Sequence, residues 1–152
     1  MQLDEIDLKI LNHLQKDGRI DVAALSQKVN LSRTPVNRRI EIMQKQGFIK
    51  GFTVLLDREK VGRPVLIITH VKLEKQTTEL LSEFESQVTK MPEVQFCMHV
   101  SGLWNFILHV SAVSPQAYFS FLMEKVNSLP NVAHTDSCFV MRECKTYGPL
   151  AL

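Results

Sequence analysis

Apolar residues recur at helical spacing three times within the first fifty positions, and the pattern then changes to that of strands alternating with helices. Ile6, Ile10 and Leu14, with Leu3 and Leu11 beside them, predict a first helix that Asp17-Gly18 closes. Val22, Leu25 and Val29 mark the buried side of a second, with Asp21 as its cap, and Asn30-Leu31-Ser32 makes a tight polar joint. The third starts at Ser32, whose hydroxyl can accept from a free backbone N–H of the first turn. Val36, Ile40 and Met43 form its inner stripe, Pro35 falls within the first turn, and Gly47 ends it. Phe48, Phe52, Val54 and Leu56 then predict a short strand or wing, and the polar stretch 57–64, DREKVGRP, reads as a hinge.

Beyond the hinge the expected elements are a strand Val65–Leu73, a helix Gln76–Met91, and strands Val94–Val100 and Asn105–Val113 joined by the turn Ser101-Gly102-Leu103-Trp104. A helix Pro115–Ser128 follows, with Tyr118, Phe119, Leu122 and Val126 inward, and a strand Val132–Met141 closes the series. The order is β-α-β-β-α-β. An internal echo supports it: VTKMPEV at 88–94 matches VNSLPNV at 126–132, an offset of 38 residues. In each copy a helix ends, a proline prevents its continuation and a strand begins. Two such βαβ units make a ferredoxin-like sheet with both helices on one face. A strand with one wet face should alternate apolar and polar residues. Val65-Leu66-Ile67-Ile68, Phe106-Ile107-Leu108 and Phe139-Val140-Met141 do not alternate, so the second face needs a cover. A second copy related by a two-fold axis is the expected cover.

The fold class is therefore α+β. A winged helix-turn-helix domain over 1–50 is followed by a strand and hinge linker over 51–64. A ferredoxin-like βαββαβ domain, its uncovered face available for dimerisation, then occupies 65–152.

Charge sharpens the picture. The net charge is only +2, but residues 1–63 hold 12 lysines and arginines against 8 acids, while residues 64–152 hold 6 against 8. A surplus of +4 in front and a deficit of −2 behind direct only the front domain toward a polyanion. On the third helix Thr34, Arg38, Glu41 and Lys45 lie opposite the apolar stripe, with Asn37 on the flank. A helix docked in the major groove of double-stranded DNA reads base edges with residues near its N-terminus. Thr34, Asn37 and Arg38 suit base edges, since asparagine matches adenine and arginine guanine. Arg33, Arg39, Lys45 and Lys50 suit phosphates. A dimer would present two such helices to a palindromic site, with half-sites roughly 34–36 Å apart or a multiple of that.

Other chemistry is sparse. Cys97, Cys138 and Cys144 show no CxxC spacing, so a disulfide framework or zinc site is not expected, and packed, inert thiols in a reducing cytoplasm are. No apolar run approaches the roughly 18 residues of a membrane span. No Ser/His/Asp set, glycine-rich phosphate loop or paired carboxylates point to an enzyme, and no cofactor or metal is expected.

The motifs resemble one family along nearly the whole chain. LDEIDLKIL at 3–11, Gly18-Arg19, LSRTPVNRRI at 31–40 and Gly47-Phe48-Ile49 form the front match. Pro92-Glu93-Val94 and VSGLWNFIL at 100–108 form the back match. In this order and spacing they are similar to the Lrp/AsnC (leucine-responsive/asparagine-responsive, feast/famine) transcriptional regulators. The resemblance implies a DNA-binding front domain and a sheet domain that dimerises, builds tetramers or octamers, and senses an amino acid near the glycine turn. It places the effector pocket at Gly102, Leu103, Trp104 and Asn105, with Thr135 and Ser137 from the last strand or a neighbour. The family pattern usually carries an aspartate just after the glycine. Asn105 stands there instead, keeping a carbonyl acceptor without the charge.

Two other classes remain open. A DNA-compacting architectural protein of the same fold would bind broadly without an effector. A tetrapyrrole decarboxylase-like enzyme would use histidines of the sheet domain, but His70, His99, His109 and His134 match no metal spacing, and the basic helix favours a regulator.

Overall fold

The computed structural model describes residues 2–152. The chain forms two compact units. The first runs to Leu55 and includes the tail Cys144–Leu152, and the second spans Leu56–Glu143.

In the first unit, helices α1 (Glu5–Leu14), α2 (Val22–Lys28) and α3 (Arg33–Lys45) surround one core. A reciprocal cap starts α1. Asp4 accepts from the N–H groups of Ile6 (2.9 Å) and Asp7 (2.8 Å), and Asp7 accepts from the N–H of Asp4 (3.1 Å). Asp21 caps α2 by accepting from Ala23 N–H at 3.0 Å. Asn30 takes a left-handed φ of 54° in the joint, and Gly47 takes φ 77° just beyond α3. Ile10, Leu11, Leu25, Val29, Val36 and Met43 are buried together, with Leu3, Ile6 and Ile40 packed against them. The tail joins this unit through Gln15. Its side chain donates to the Leu150 carbonyl (3.3 Å) and accepts from the Leu150 N–H (2.7 Å).

Two expectations for this unit change. The Ser32 hydroxyl makes no capping bond. A serine at that position caps the second or third N–H of the helix, and the third belongs to Pro35, which has none. The segment after Gly47, expected as a strand or wing, forms no strand among the described residues, and Phe52, Val54 and Leu55 stay more than half exposed. β-branched and aromatic residues favour a strand only where a partner edge completes the backbone ladder. Phe52 instead lies against Gly18, where its ring comes within 3.4 Å of the position a Cβ would take.

The second unit is a four-stranded antiparallel sheet in the order β2-β3-β1-β4, built from β1 (Val65–Leu73), β2 (Val94–His99), β3 (Phe106–Ala112) and β4 (Val132–Phe139). Helices α4 (Thr78–Val88) and α5 (Pro115–Phe121) follow β1 and β3, as the predicted order requires. Strand register fixes the faces. Ile67, Val71 and Leu73 of β1 and Phe106, Leu108 and Val110 of β3 share a buried cluster with Phe84 and Val88 of α4 and Tyr118 and Phe121 of α5. Alternation puts Leu66, Ile68 and His70 of β1 on the other face, beside Ile107 and His109 of β3 and Phe96 and Met98 of β2. Phe96 is 62% exposed and Met98 41%, so this face is apolar at its centre and open.

The fifth helix departs from expectation. After Phe121 it widens into a π turn over Leu122–Val126, closed by Asn127 N–H donating to the Leu122 carbonyl at 2.8 Å. The wider turn brings Phe121 and Val126, five positions apart, to the core side. Phe119, expected inward, is 63% exposed.

Candidate functional site

The outer face of α3 carries the front unit's chemistry. Its inner stripe pins the helix by Val36 and Met43, both fully buried. That leaves Arg33, Thr34, Asn37, Arg38 and Lys45 exposed along the opposite side, with Lys50 exposed just beyond the helix end. Glu41 is the single acid on the same stretch.

Arg39 is placed differently from the phosphate contact expected of it. Its Nη1 donates to Asp4 and Asp7, each at 2.7 Å. The Asp7 side chain is 2% exposed and that of Arg39 29%. The two carboxylates, Asp7 first, raise the guanidinium pKa. The N–H of Asp7, then Arg39, lower that of the Asp4 carboxyl. Arg39 therefore fastens α3 to the start of α1 and is not a free cation. Its signal in the sequence is the acidic pair Asp4 and Asp7, which the helical pattern places on α1 without naming a partner.

The second candidate site surrounds the turn between β2 and β3. Gly102 takes φ 117°, a backbone conformation open to glycine and unfavourable for a side chain. Leu103 is 73% exposed. The Trp104 ring stacks with His134 (centroids 5.7 Å apart, planes at 20°) and lies 5.5 Å from that of His70. Trp104 thus joins the open face of the sheet.

Three expected pocket residues have other partners. Asn105 is buried, and its side-chain oxygen accepts from the Leu73 N–H at 2.9 Å, which ties the end of β1 to the start of β3. Thr135 donates to the side-chain oxygen of Asn127 at 3.0 Å. The Ser137 hydroxyl bonds the Tyr118 hydroxyl at 2.5 Å, which also contacts Thr69 at 2.7 Å. Thr135 and Ser137 point to the helix side of β4, whereas its alternate residues His134, Asp136 and Cys138 share the open face with Trp104. The structure does not bring the two hydroxyls to the glycine turn within one chain. Period-two alternation along β4, anchored by His134, carries that information.

Of the three thiols, expected packed and inert, only Cys97 is so placed. Cys97 is half-buried, and burial, helped by Glu85, pushes its pKa up to about 11, so it stays protonated and unreactive near neutrality. Cys138 and Cys144 are exposed. Burial, then the charge of Arg58, lowers the pKa of His109. Among the described residues no helix is long and apolar enough to cross a membrane.

A basic helix carried outermost on a three-helix unit, joined to a βαββαβ sheet, defines a two-part DNA-binding protein. Comparison with known proteins agrees. Residues 3–50 match the family model described as winged helix-turn-helix DNA-binding, and residues 66–150 match the Lrp/AsnC ligand binding domain. The proline dehydrogenase transcriptional activator of Rhizobium radiobacter is 37% identical over 146 residues, 96% of this chain and 94% of that protein. The leucine-responsive regulatory protein of Escherichia coli K12 is 37% identical over 150 residues, 99% of this chain and 92% of that protein. A Neisseria meningitidis transcriptional regulator solved with L-Met superposes with a TM-score of 0.91 at 29% identity, covering 99% of this chain and 97% of that one. An AsnC family regulator from Agrobacterium tumefaciens gives 0.89 at 32% identity, covering 98% and 97%. The chain belongs to the Lrp/AsnC family of transcriptional regulators. It is a DNA-binding regulator with a ligand-binding sheet domain, and not an enzyme.

Proposed function

We propose that this regulator reads a palindromic DNA site with α3, as a dimer built across the open sheet face, and that an amino acid bound near Gly102 controls it. The observation that carries the reading is the exposed row Arg33, Thr34, Asn37, Arg38 and Lys45 over a fully buried Val36–Met43 stripe. Thr34, Asn37 and Arg38 sit in the early turns of the helix, where base edges are reached, and Arg33, Lys45 and Lys50 flank them for phosphates. Arg39 leaves the set of DNA contacts because Asp4 and Asp7 hold it.

The dimer is supported by the apolar, open centre of the sheet at Phe96, Met98, Ile68 and Ile107. A face used twice about a two-fold axis must fit itself, and an apolar one does so without pairing charges. The effector reading is supported by the ligand-binding family model and by the L-Met complex of the Neisseria relative. The pocket left by the geometry is Gly102, Leu103 and Trp104, without the side chain of Asn105.

Arg38→Ala tests the DNA reading. Binding is measured by fluorescence anisotropy on a site found by footprinting, on single-base variants and on random duplex, at fixed salt. A base-reading arginine costs about 1–3 kcal/mol and relaxes specificity at one position of each half-site. Equal weakening on every sequence would assign Arg38 to phosphate and favour an architectural role. A thermal-shift screen of the amino acids tests the effector. Phe96→Glu, followed by light scattering, should release monomers.

A further inference from the structure

We propose that the open face of the sheet holds a divalent zinc-class metal ion between β1 and β4, ligated by His70, Asp136 and Cys138. His70 and Asp136 are direct partners in the β1–β4 register, and Cys138 is the next residue of β4 on the same face. The three side chains therefore rise side by side from neighbouring strands. One ligand atom from each lies within 4.8 Å of the other two.

The His70 ring supplies the second observation. Its Nδ1 is shut off from solvent and has no hydrogen-bond partner. It faces Asp136 Oδ2 at 3.8 Å, too far for a hydrogen bond. A buried, aimed nitrogen without a partner loses free energy that a metal bond returns.

The donor set identifies the ion. Imidazole nitrogen, thiolate sulfur and carboxylate oxygen together suit Zn²⁺, whereas Mg²⁺ and Ca²⁺ take oxygen alone. Tetrahedral zinc with bonds of about 2.0–2.3 Å sets its ligands roughly 3.3–3.6 Å apart. The His70–Asp136 separation already lies close to that range, and side-chain rotation of the exposed Cys138 closes the rest. Binding exchanges the thiol proton of Cys138 for the metal, so one proton is released to solvent from that ligand. Three protein ligands leave the fourth tetrahedral position for a water.

Trp104 lies against the His70 ring, which ties this site to the glycine turn. β4 is an edge strand of the sheet, so the site lies beside the rim of the open face. Sequence spacing conceals it. Position 70 stands far from 136 and 138, and only the strand pairing brings them together.

The test uses the full chain, reduced and stripped with a chelator, then titrated with Co²⁺ as a spectroscopic probe. The expected result is a sulfur-to-cobalt charge-transfer band with visible tetrahedral bands, saturating at one ion per chain and erased by added Zn²⁺. Cys138→Ser should abolish the charge-transfer band. His70→Gln and Asp136→Asn should each weaken Co²⁺ binding by at least about tenfold, and His99→Gln should leave it unchanged. Circular dichroism and DNA affinity report that each variant is folded. Absence of the band in wild type would overturn the proposal. So would its survival in Cys138→Ser, which would trace the sulfur to Cys97 or Cys144.

Discussion

Replacing Arg39 by alanine separates two roles for a basic residue on a DNA-facing helix. If Arg39 fastens α3 to α1, the substitution acts on stability. Its Nη1 is shared by Asp4 and Asp7 at 2.7 Å each, and the Asp7 side chain is 2% exposed. Losing one partner of a fully buried pair costs roughly 3–5 kcal/mol, while an exposed pair contributes about 0–1 kcal/mol. The Asp7 end is buried and the Arg39 end is 29% exposed, which places the loss between these limits. A value of about 2 kcal/mol lowers the melting point of so small a unit by roughly 8–16 °C. Far-ultraviolet circular dichroism weights the helical unit, and Trp104 fluorescence reports the sheet. The helical transition should move down while the tryptophan transition stays. Arg39→Lys, with a shorter and non-planar head group, should recover part of the loss. An alanine variant that melts with wild type, yet binds DNA with a salt slope smaller by about one, would refute the structural role.

Further predictions concern the sheet and the cap. Asn105→Ala should destabilise the sheet unit by about 1–3 kcal/mol, because the Leu73 N–H it bonds becomes a buried orphan. Tryptophan-monitored urea melts measure this, and unchanged stability with lost amino-acid affinity would return Asn105 to the ligand. The Asp4 carboxyl has a pKa depressed below its ordinary 3.8, so its contribution is complete above that pH and lost as pH falls through the lowered value. Acid titration of the helical signal should therefore show a step in wild type below pH 3.8 that Asp4→Asn lacks.

The elements were legible in the sequence wherever burial followed a simple period. Val36, Ile40 and Met43 announced α3, and the repeated proline junctions at Pro92 and Pro130 announced both βαβ units. What escaped depends on pairings across long separations or on departures from a regular turn. Arg39 looks like any other cation of its helix until Asp7, 32 residues earlier, is brought against it. The π turn after Phe121 brings Val126 to the core side five positions on, which no 3.6-residue period anticipates, and Phe119 lies on the exposed side of α5. The aromatic and β-branched residues of 52–56 have strand propensity but no edge to pair with. The resemblance places Thr135 and Ser137, from the last strand or a neighbour, by the glycine turn, whereas alternation along β4 gives them Asn127 and Tyr118 as partners within the chain. The open, apolar sheet face was legible because its strands fail to alternate. The histidine, aspartate and cysteine gathered on it were not.

The link between Gln15 and Leu150 joins residues 135 positions apart within one small unit. A ribosome that has released the three helices has therefore released them before this clasp can form. The sheet must be synthesised, and the chain carried back, before Leu150 meets α1. The DNA-reading half of the molecule acquires these two hydrogen bonds only after the whole sheet has been made. A bulky insertion beside Leu150 would crowd the end of the first helix, 135 positions away along the chain.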